Sequence, residues 1–146
     1  SRWMTETIGS GFNPVLSLDT SDQPHVSYLE RAADGSYLLR YAYKANDAWQ
    51  ISTVNTTTLG SEGSLSLDMD TSGNPHLVYY TGWAEQRPLN YVHWTGMEWD
   101  IQTIEDSIGR MFLLVPAVMK LDASDTAHVC YLNPGSNDLL YARVEP

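Results

Sequence analysis

Three histidines recur at one position of a repeating pattern, His25, His76 and His128, at intervals of 51 and 52 residues. Imidazole exchanges protons near neutral pH and is a common metal ligand, so a symmetric set of three suggests a metal site. Each, however, follows an aspartate by six residues (Asp19, Asp70, Asp122) and precedes a tyrosine by three (Tyr28, Tyr79, Tyr131). A polar residue that always returns with its own turn aspartate is expected to satisfy groups of its own hairpin. The tyrosines are expected to pack. Asp68-Met69-Asp70-Thr71-Ser72-Gly73 resembles the start of a calcium loop, but the twelfth position, where such a loop needs a bidentate glutamate, is Tyr79. The equivalents of Asp68 are Ser17 and Lys120. No metal or other cofactor is expected.

Positions that differ between repeats are more informative about a ligand, because a shared residue is explained by the shared fold. The stretch 80–88 contains Trp83, Glu85 and Arg87, an aromatic, a carboxylate and a guanidinium absent from the matching stretch near Asn133–Asn137. Arg31 falls in the equivalent first loop and Arg110 in a long connection further on. A tryptophan beside hydrogen-bonding side chains suits a sugar or a peptide: the ring covers apolar area while its neighbours orient polar groups. Trp83, Glu85, Arg87, Arg31 and Arg110 are therefore the expected ligand contacts. Catalysis has little support. The six arginines do not recur in register, and neither a Gly-x-Ser-x-Gly nor a His-Glu-x-x-His pattern occurs.

These residues sit on a repeat of about fifty residues. Asp19 to Tyr28 returns as Asp70 to Tyr79 and again as Asp122 to Tyr131; Leu39-Arg40-Tyr41 returns as Leu89-Asn90-Tyr91 and ends in Leu140-Tyr141. Trp49-Gln-Ile-Ser-Thr-Val54 returns as Trp99-Asp-Ile-Gln-Thr-Ile104, and the same pattern occurs at Trp3-Met-Thr-Glu-Thr-Ile8. Each period predicts four short strands joined by turns, in the first repeat A near 14–19, B 24–30, C 37–44 and D 49–54. Adjacent as well as alternate apolar residues in strand A (Val15, Leu16, Leu18) predict strands covered on both faces. Four-stranded units of this period are the mark of a β-propeller, usually of about four to eight blades.

The expected architecture is therefore all-β: one propeller domain over 1–146, with repeats at about 14–54, 64–104 and 116–144. Residues 3–8 form a spare strand D that completes a last blade otherwise holding only A, B and C. Two copies joined head to tail make six blades, a homodimer; an excerpt from a longer propeller is the alternative. The expected function is a non-catalytic binding module, lectin-like, for a glycan or a peptide, against a glycosidase-like enzyme fragment or a purely structural assembly unit.

Composition narrows the partners. Eighteen acidic against eight basic residues give a net charge of −10, a field that repels phosphate backbones and anionic membranes. Neither nucleic acid nor a membrane is an expected partner, and no apolar window is long enough to span one. The lone Cys130, inside an apolar run, is expected to be a buried structural thiol. With only Lys44 and Lys120 as lysines and abundant Ser, Thr, Asn and Asp, the composition points to an exported bacterial protein.

The pattern Ser-Leu-Asp-x-x-x-x-Pro-His-Val-x-Tyr, then Leu-x-Tyr-Ala, then Trp-x-x-x-Thr-Val resembles the repeats of bacterial propellers, often secreted, grouped with BNR or sialidase-like repeats. The resemblance spans residues 3–144 and implies the propeller fold. The sialidase Asp-box, Ser-x-Asp-x-Gly-x-Thr-Trp, is not matched, since no Thr-Trp follows Gly73, and the resemblance carries no sialidase chemistry with it.

Overall fold

The computed structural model describes residues 1–57, 63–81, 88–106, 116–133 and 135–144. Among the described residues eleven strands form three antiparallel sheets, and within each sheet strands adjacent in sequence pair. The first sheet holds β1 (Phe12–Leu18), β2 (Pro24–Arg31), β3 (Tyr37–Ala45) and β4 (Ala48–Thr57). The second holds β5 (Gly63–Met69), β6 (Pro75–Thr81), β7 (Leu89–Trp94) and β8 (Trp99–Glu105). In the third, β9 (Val118–Leu121), β10 (Ala127–Asn133) and β11 (Asp138–Arg143) occur, and no further strand pairs with β11 among the described residues. The described chain is all-β, as the alternation of short apolar runs and turn residues predicts.

The turn chemistry explains the register. Asp19 Oδ1 accepts from the backbone N–H of Ser21 and of Gln23, and Asp70 and Asp122 repeat the arrangement. The residue three places on, Asp22, Gly73 or Asp125, adopts a positive φ of 59°, 83° or 61°. Gly, Asp and Asn tolerate that region, which is why only Asp or Gly stands there. The tight turn then pairs Leu18 with Pro24 and Met69 with Pro75.

Sheets stack through apolar faces. Leu29, Leu39, Tyr41 and Val54 of the first sheet meet Leu65, Leu67, Leu77, Tyr79 and Val92 of the second. Val78, Tyr80, Leu89 and Tyr91 on the opposite face of the second sheet meet Ala117, Met119, Val129 and Tyr131 of the third. Each fully buried side chain of this size contributes about 1.5–3 kcal/mol. Bulges at Leu39/Arg40 on the β3–β4 ladder and at Leu89/Asn90 on the β7–β8 ladder leave one extra residue on the outer strand. An extra residue re-aims a side chain. Val54 and Ile104 are thereby turned from a solvent-facing strand into the next sheet's core.

The innermost strands are clipped together by side chains. Ser64 Oγ accepts from Ala117 N–H at 2.9 Å, Ser66 Oγ from Met119 N–H at 3.0 Å, and Asp68 Oδ2 from Leu121 N–H at 2.9 Å. Their alternation on β5 places all three on one face. Asp68 also accepts from Ser17 Oγ at 3.3 Å and pairs with Lys120 Nζ at 3.4 Å. The three repeat-equivalent residues meet at one point, so the carboxylate joins sheets.

Residues 1–9 form no ladder in this chain, but residues 6–9 lie against the first sheet. Ile8 packs with Val26, Tyr28 and Ala42, and Glu6 accepts from Lys44 Nζ at 2.6 Å and from Trp49 Nε1 at 3.2 Å. A Cβ on Gly11 would fall 2.4 Å from the Tyr28 ring and 2.6 Å from the Leu29 carbonyl oxygen, so only glycine allows this approach.

Two faces carry apolar residues open to water. On the first sheet Leu16 is 63% exposed, whereas its repeat-equivalent Leu67 is 5% exposed. On the third, Leu139 and Tyr141 are 74% and 63% exposed, against 0% and 6% for Leu39 and Tyr41. Strand A is thus covered on both faces in the second sheet but not in the first. Cys130 also corrects expectation: it is exposed, because β10 places it on the same open face as Tyr141, its ladder partner, and Val118.

Candidate functional site

Each sheet holds one relay of Tyr, His and Asp. His25 Nδ1 lies 2.5 Å from Tyr41 Oη and its Nε2 3.3 Å from Asp19 Oδ2. For His76 the partners are Tyr91 Oη at 2.6 Å and Asp70 Oδ2 at 3.4 Å; for His128 they are Tyr141 Oη at 2.7 Å and Asp122 Oδ2 at 3.1 Å. An ionised carboxylate only accepts, so the neutral ring donates from Nε2 and accepts the tyrosine hydroxyl at Nδ1. The aspartate's other oxygen holds the turn N–H groups. The histidines thus serve their own hairpins, as the spacing predicts, but through the aspartate rather than by bonding the backbone themselves. They stand apart, one per sheet. Among the described residues no three metal-ligating side chains are grouped to hold an ion.

Burial tunes the second relay. It pushes the His76 imidazole below its ordinary range, against the pull of the Asp70 carboxylate. Burial also opposes ionisation of Asp70, but hydrogen bonds from the Asn74 side chain and backbone and from His76 outweigh it and leave that carboxyl low. The Tyr91 hydroxyl is pushed up to about 12, mainly by burial and then by Asp70. Because His76 resists protonation in the fold, the unfolded chain takes up a proton first as pH falls through about 6.5. The contribution of His76 is present above that pH and is lost between there and its own lower value. The denaturant midpoint should therefore fall from about pH 7.5 to about pH 5.5, and His76→Asn should remove that part of the slope. An equal slope in both proteins would contradict the relay's role.

The side of the first relay away from Asp19 forms one wall of a cleft of about 420 Å³ between the first and second sheets. His25, Tyr41, Tyr43 and Ser52 line it from the first sheet. His25, Tyr41 and Tyr43 are stacked, with Tyr41 and Tyr43 ring centres 5.9 Å apart and His25 and Tyr43 6.2 Å apart. The second sheet contributes the turn Gly73-Asn74-Pro75 and the hairpin tryptophans Trp94 and Trp99. Trp99 meets Trp94 edge-on at 5.3 Å and Tyr41 edge-on at 5.4 Å. Tyr43 remains 40% exposed and both tryptophans are half-buried, so aromatic faces and edges are open to a ligand. Among the described residues no Asp, Glu, Lys or Arg lines the cleft. Hydroxyl, amide and imidazole groups supply its polarity. Such a site suits a neutral molecule that has both an apolar face and several hydrogen-bonding groups.

A scan against protein-family models finds no match, and a search of the curated proteins finds none either. Among solved structures, the chain is similar to a fucose lectin from Kordia zhangzhouensis in complex with methyl-fucoside. The match has a TM-score of 0.58 at 18% identity and covers 90% of this chain and 91% of that one. The two share a fold.

Of the sequence-predicted contacts, Trp83, Glu85, Arg87 and Arg110 lie outside the described residues. Arg31 is exposed at the end of β2, paired in register with Tyr37. His25 starts the same strand opposite Tyr43, so Arg31 and the aromatic cleft lie at opposite ends of the first sheet, roughly 20 Å apart at 3.3 Å per residue. The cleft residues missed from sequence carry a legible signal of the same kind. Trp94 stands where the other repeats have Lys44 and Val144, and Tyr43 where they have His93 and Arg143. Both depart from the repeat, but at the hairpin end.

Proposed function

We propose that the chain is half of a β-propeller that binds carbohydrate, without chemistry, in clefts between its sheets. The observation that carries this reading is the aromatic cleft between the first two sheets, neutral and lined by Tyr43, Trp94 and Trp99 with Ser52 and Asn74 beside them. A sugar offers such a cleft what it requires: C–H faces for the rings and hydroxyls for the polar groups. The shared fold with a fucose lectin supports the same class of ligand. On a glycan array the protein should bind a defined subset of neutral glycans and release no product from them. Absence of binding to every neutral glycan would overturn the proposal.

The assembly belongs to the same reading. Two copies close a six-sheet ring, the usual size range for a propeller, with a two-fold axis, the commonest symmetry. Each copy contributes one domain with repeats at about 14–54, 64–104 and 116–144. Residues 3–8 of one copy pair with β11 of the other. Two observations support this. The open face with Leu139 and Tyr141 and the open face with Leu16 are the repeat-equivalents of the two surfaces buried between the first and second sheets. Ile8 also sits on the first sheet as Val54 sits on the second and Ile104 on the third.

A further inference from the structure

Resting on that assembly and on carbohydrate binding, we infer that the cleft between the second and third sheets is half of a further sugar site, and that its missing wall is Trp3 of a second copy.

One arrangement occurs twice. Trp99, at the start of the second sheet's outer strand, closes the first cleft from one side and stands across it from Ser52 of the first sheet's outer strand. Trp49, at the start of the first sheet's outer strand, donates from Nε1 to Glu6 at 3.2 Å. Glu6 and Ser52 are repeat-equivalents, each three residues after the tryptophan of its own motif (Trp3 and Trp49). One rule covers both: the tryptophan opening one outer strand stands toward the residue three places after the tryptophan of the preceding one.

The next member of the series is Gln102, three residues after Trp99. It lines a cavity of about 330 Å³ between the second and third sheets, with Tyr91 at the position of Tyr41 and Val144 at that of Trp94. The described third sheet has no tryptophan to stand opposite it. Trp3 is 96% exposed and belongs to the motif that supplies the tryptophan elsewhere. When residues 3–8 of a second copy pair with β11, the repeat places that copy's Trp3 over Gln102, its Nε1 donating to the amide oxygen. Tyr91 and Trp3 then meet edge-on in the wall of the cleft as Tyr41 and Trp99 do in the first. Arg143 also lines this cleft, at the position that Tyr43 holds in the first, and the ligand class is again a sugar. The first cleft has both walls within a single chain, and assembly supplies the second wall of this one.

Fluorine NMR of the 5-fluorotryptophan-labelled protein tests this, with Trp3, Trp94 and Trp99 assigned by single Trp→Phe variants. The probes are methyl-fucoside and the methyl glycosides of galactose, mannose and N-acetylglucosamine, and the mass in solution is measured on the same samples. In a sample of twice the chain mass, the Trp3 resonance should shift on saturation along with those of Trp94 and Trp99. Trp3→Phe should keep the mass and the Trp94 shift. A dimer in which Trp94 and Trp99 respond and Trp3 does not overturns the half-site alone. A single-chain mass overturns it through the assembly, and a dimer in which no tryptophan responds to any probe overturns it through the sugar reading.

Discussion

Leu139→Asp should convert a particle of about twice 16.4 kDa into a single chain. In one copy Leu139 is 74% exposed on β11, whereas its equivalent Leu39 is fully buried between the first two sheets. If the open face of the third sheet packs on the open face of a second copy's first sheet, residue 139 is buried there as Leu39 is. A carboxylate at that point loses its hydration without gaining a partner, a cost of several kcal/mol, incurred at both seams of the ring. At about 1.4 kcal/mol per tenfold, dissociation should strengthen more than about a hundredfold. The fold of one chain should survive, because the change falls on a water-facing side chain. Light scattering should report the single-chain mass with the β-sheet circular dichroism retained. A wild type that is itself a single chain at micromolar concentration, or a variant of unchanged mass, would contradict the assembly.

The second large effect is on stability. His76→Ala should lower it by roughly 1–3 kcal/mol, the cost of leaving buried polar groups without a partner. The imidazole joins the Tyr91 hydroxyl to the Asp70 carboxylate, and Asp70 holds the N–H groups of Ser72 and Asn74. Removing the ring strands the buried Tyr91 hydroxyl and takes one of the two side-chain hydrogen bonds from Asp70 Oδ2, which keeps that of Asn74 Nδ2, in the least accessible of the three relays. His128→Ala in the Leu139→Asp background should cost much less, because there water can reach both partners of the His128 relay, which a single chain leaves exposed. Chemical denaturation of both proteins measures the contrast. Equal losses would mean that burial does not set the value of the relay.

The repeat made most of the fold legible. Turn aspartates, the prolines before His25 and His76 and the tryptophans opening β4 and β8 placed every described strand of the first sheet within about three residues. Exposure was less legible. Cys130 stands in an apolar run, yet its side chain faces outward because β10 is covered on one side only in a single chain. Which face of an apolar strand is covered depends on the neighbouring sheet, which the strand's own residues do not encode. The site was legible in principle. Departure from the repeat is the criterion that selects Tyr43 and Trp94; applied to the loops it selects Arg31, at the far end of the first sheet, and Trp83, Glu85, Arg87 and Arg110, which lie outside the described residues. What joins Trp94 to Tyr43 and Ser52 is the packing of the second sheet on the first, across about forty to fifty residues of sequence, a relation visible only once two sheets are placed together.

Sugar binding in the aromatic cleft is the central claim, and calorimetric titration with methyl-fucoside, set beside Trp94→Ala, tests it most directly. Trp94 is half-buried at the cleft mouth, so its loss should leave the fold standing while removing one aromatic wall. The account predicts saturable heat in the wild type and at least about tenfold weaker affinity in the variant, about 1.4 kcal/mol and in keeping with the loss of a stacked ring. Wild-type binding that Trp94→Ala leaves unchanged, or no heat with methyl-fucoside or with the methyl glycosides of galactose, mannose and N-acetylglucosamine, would contradict it.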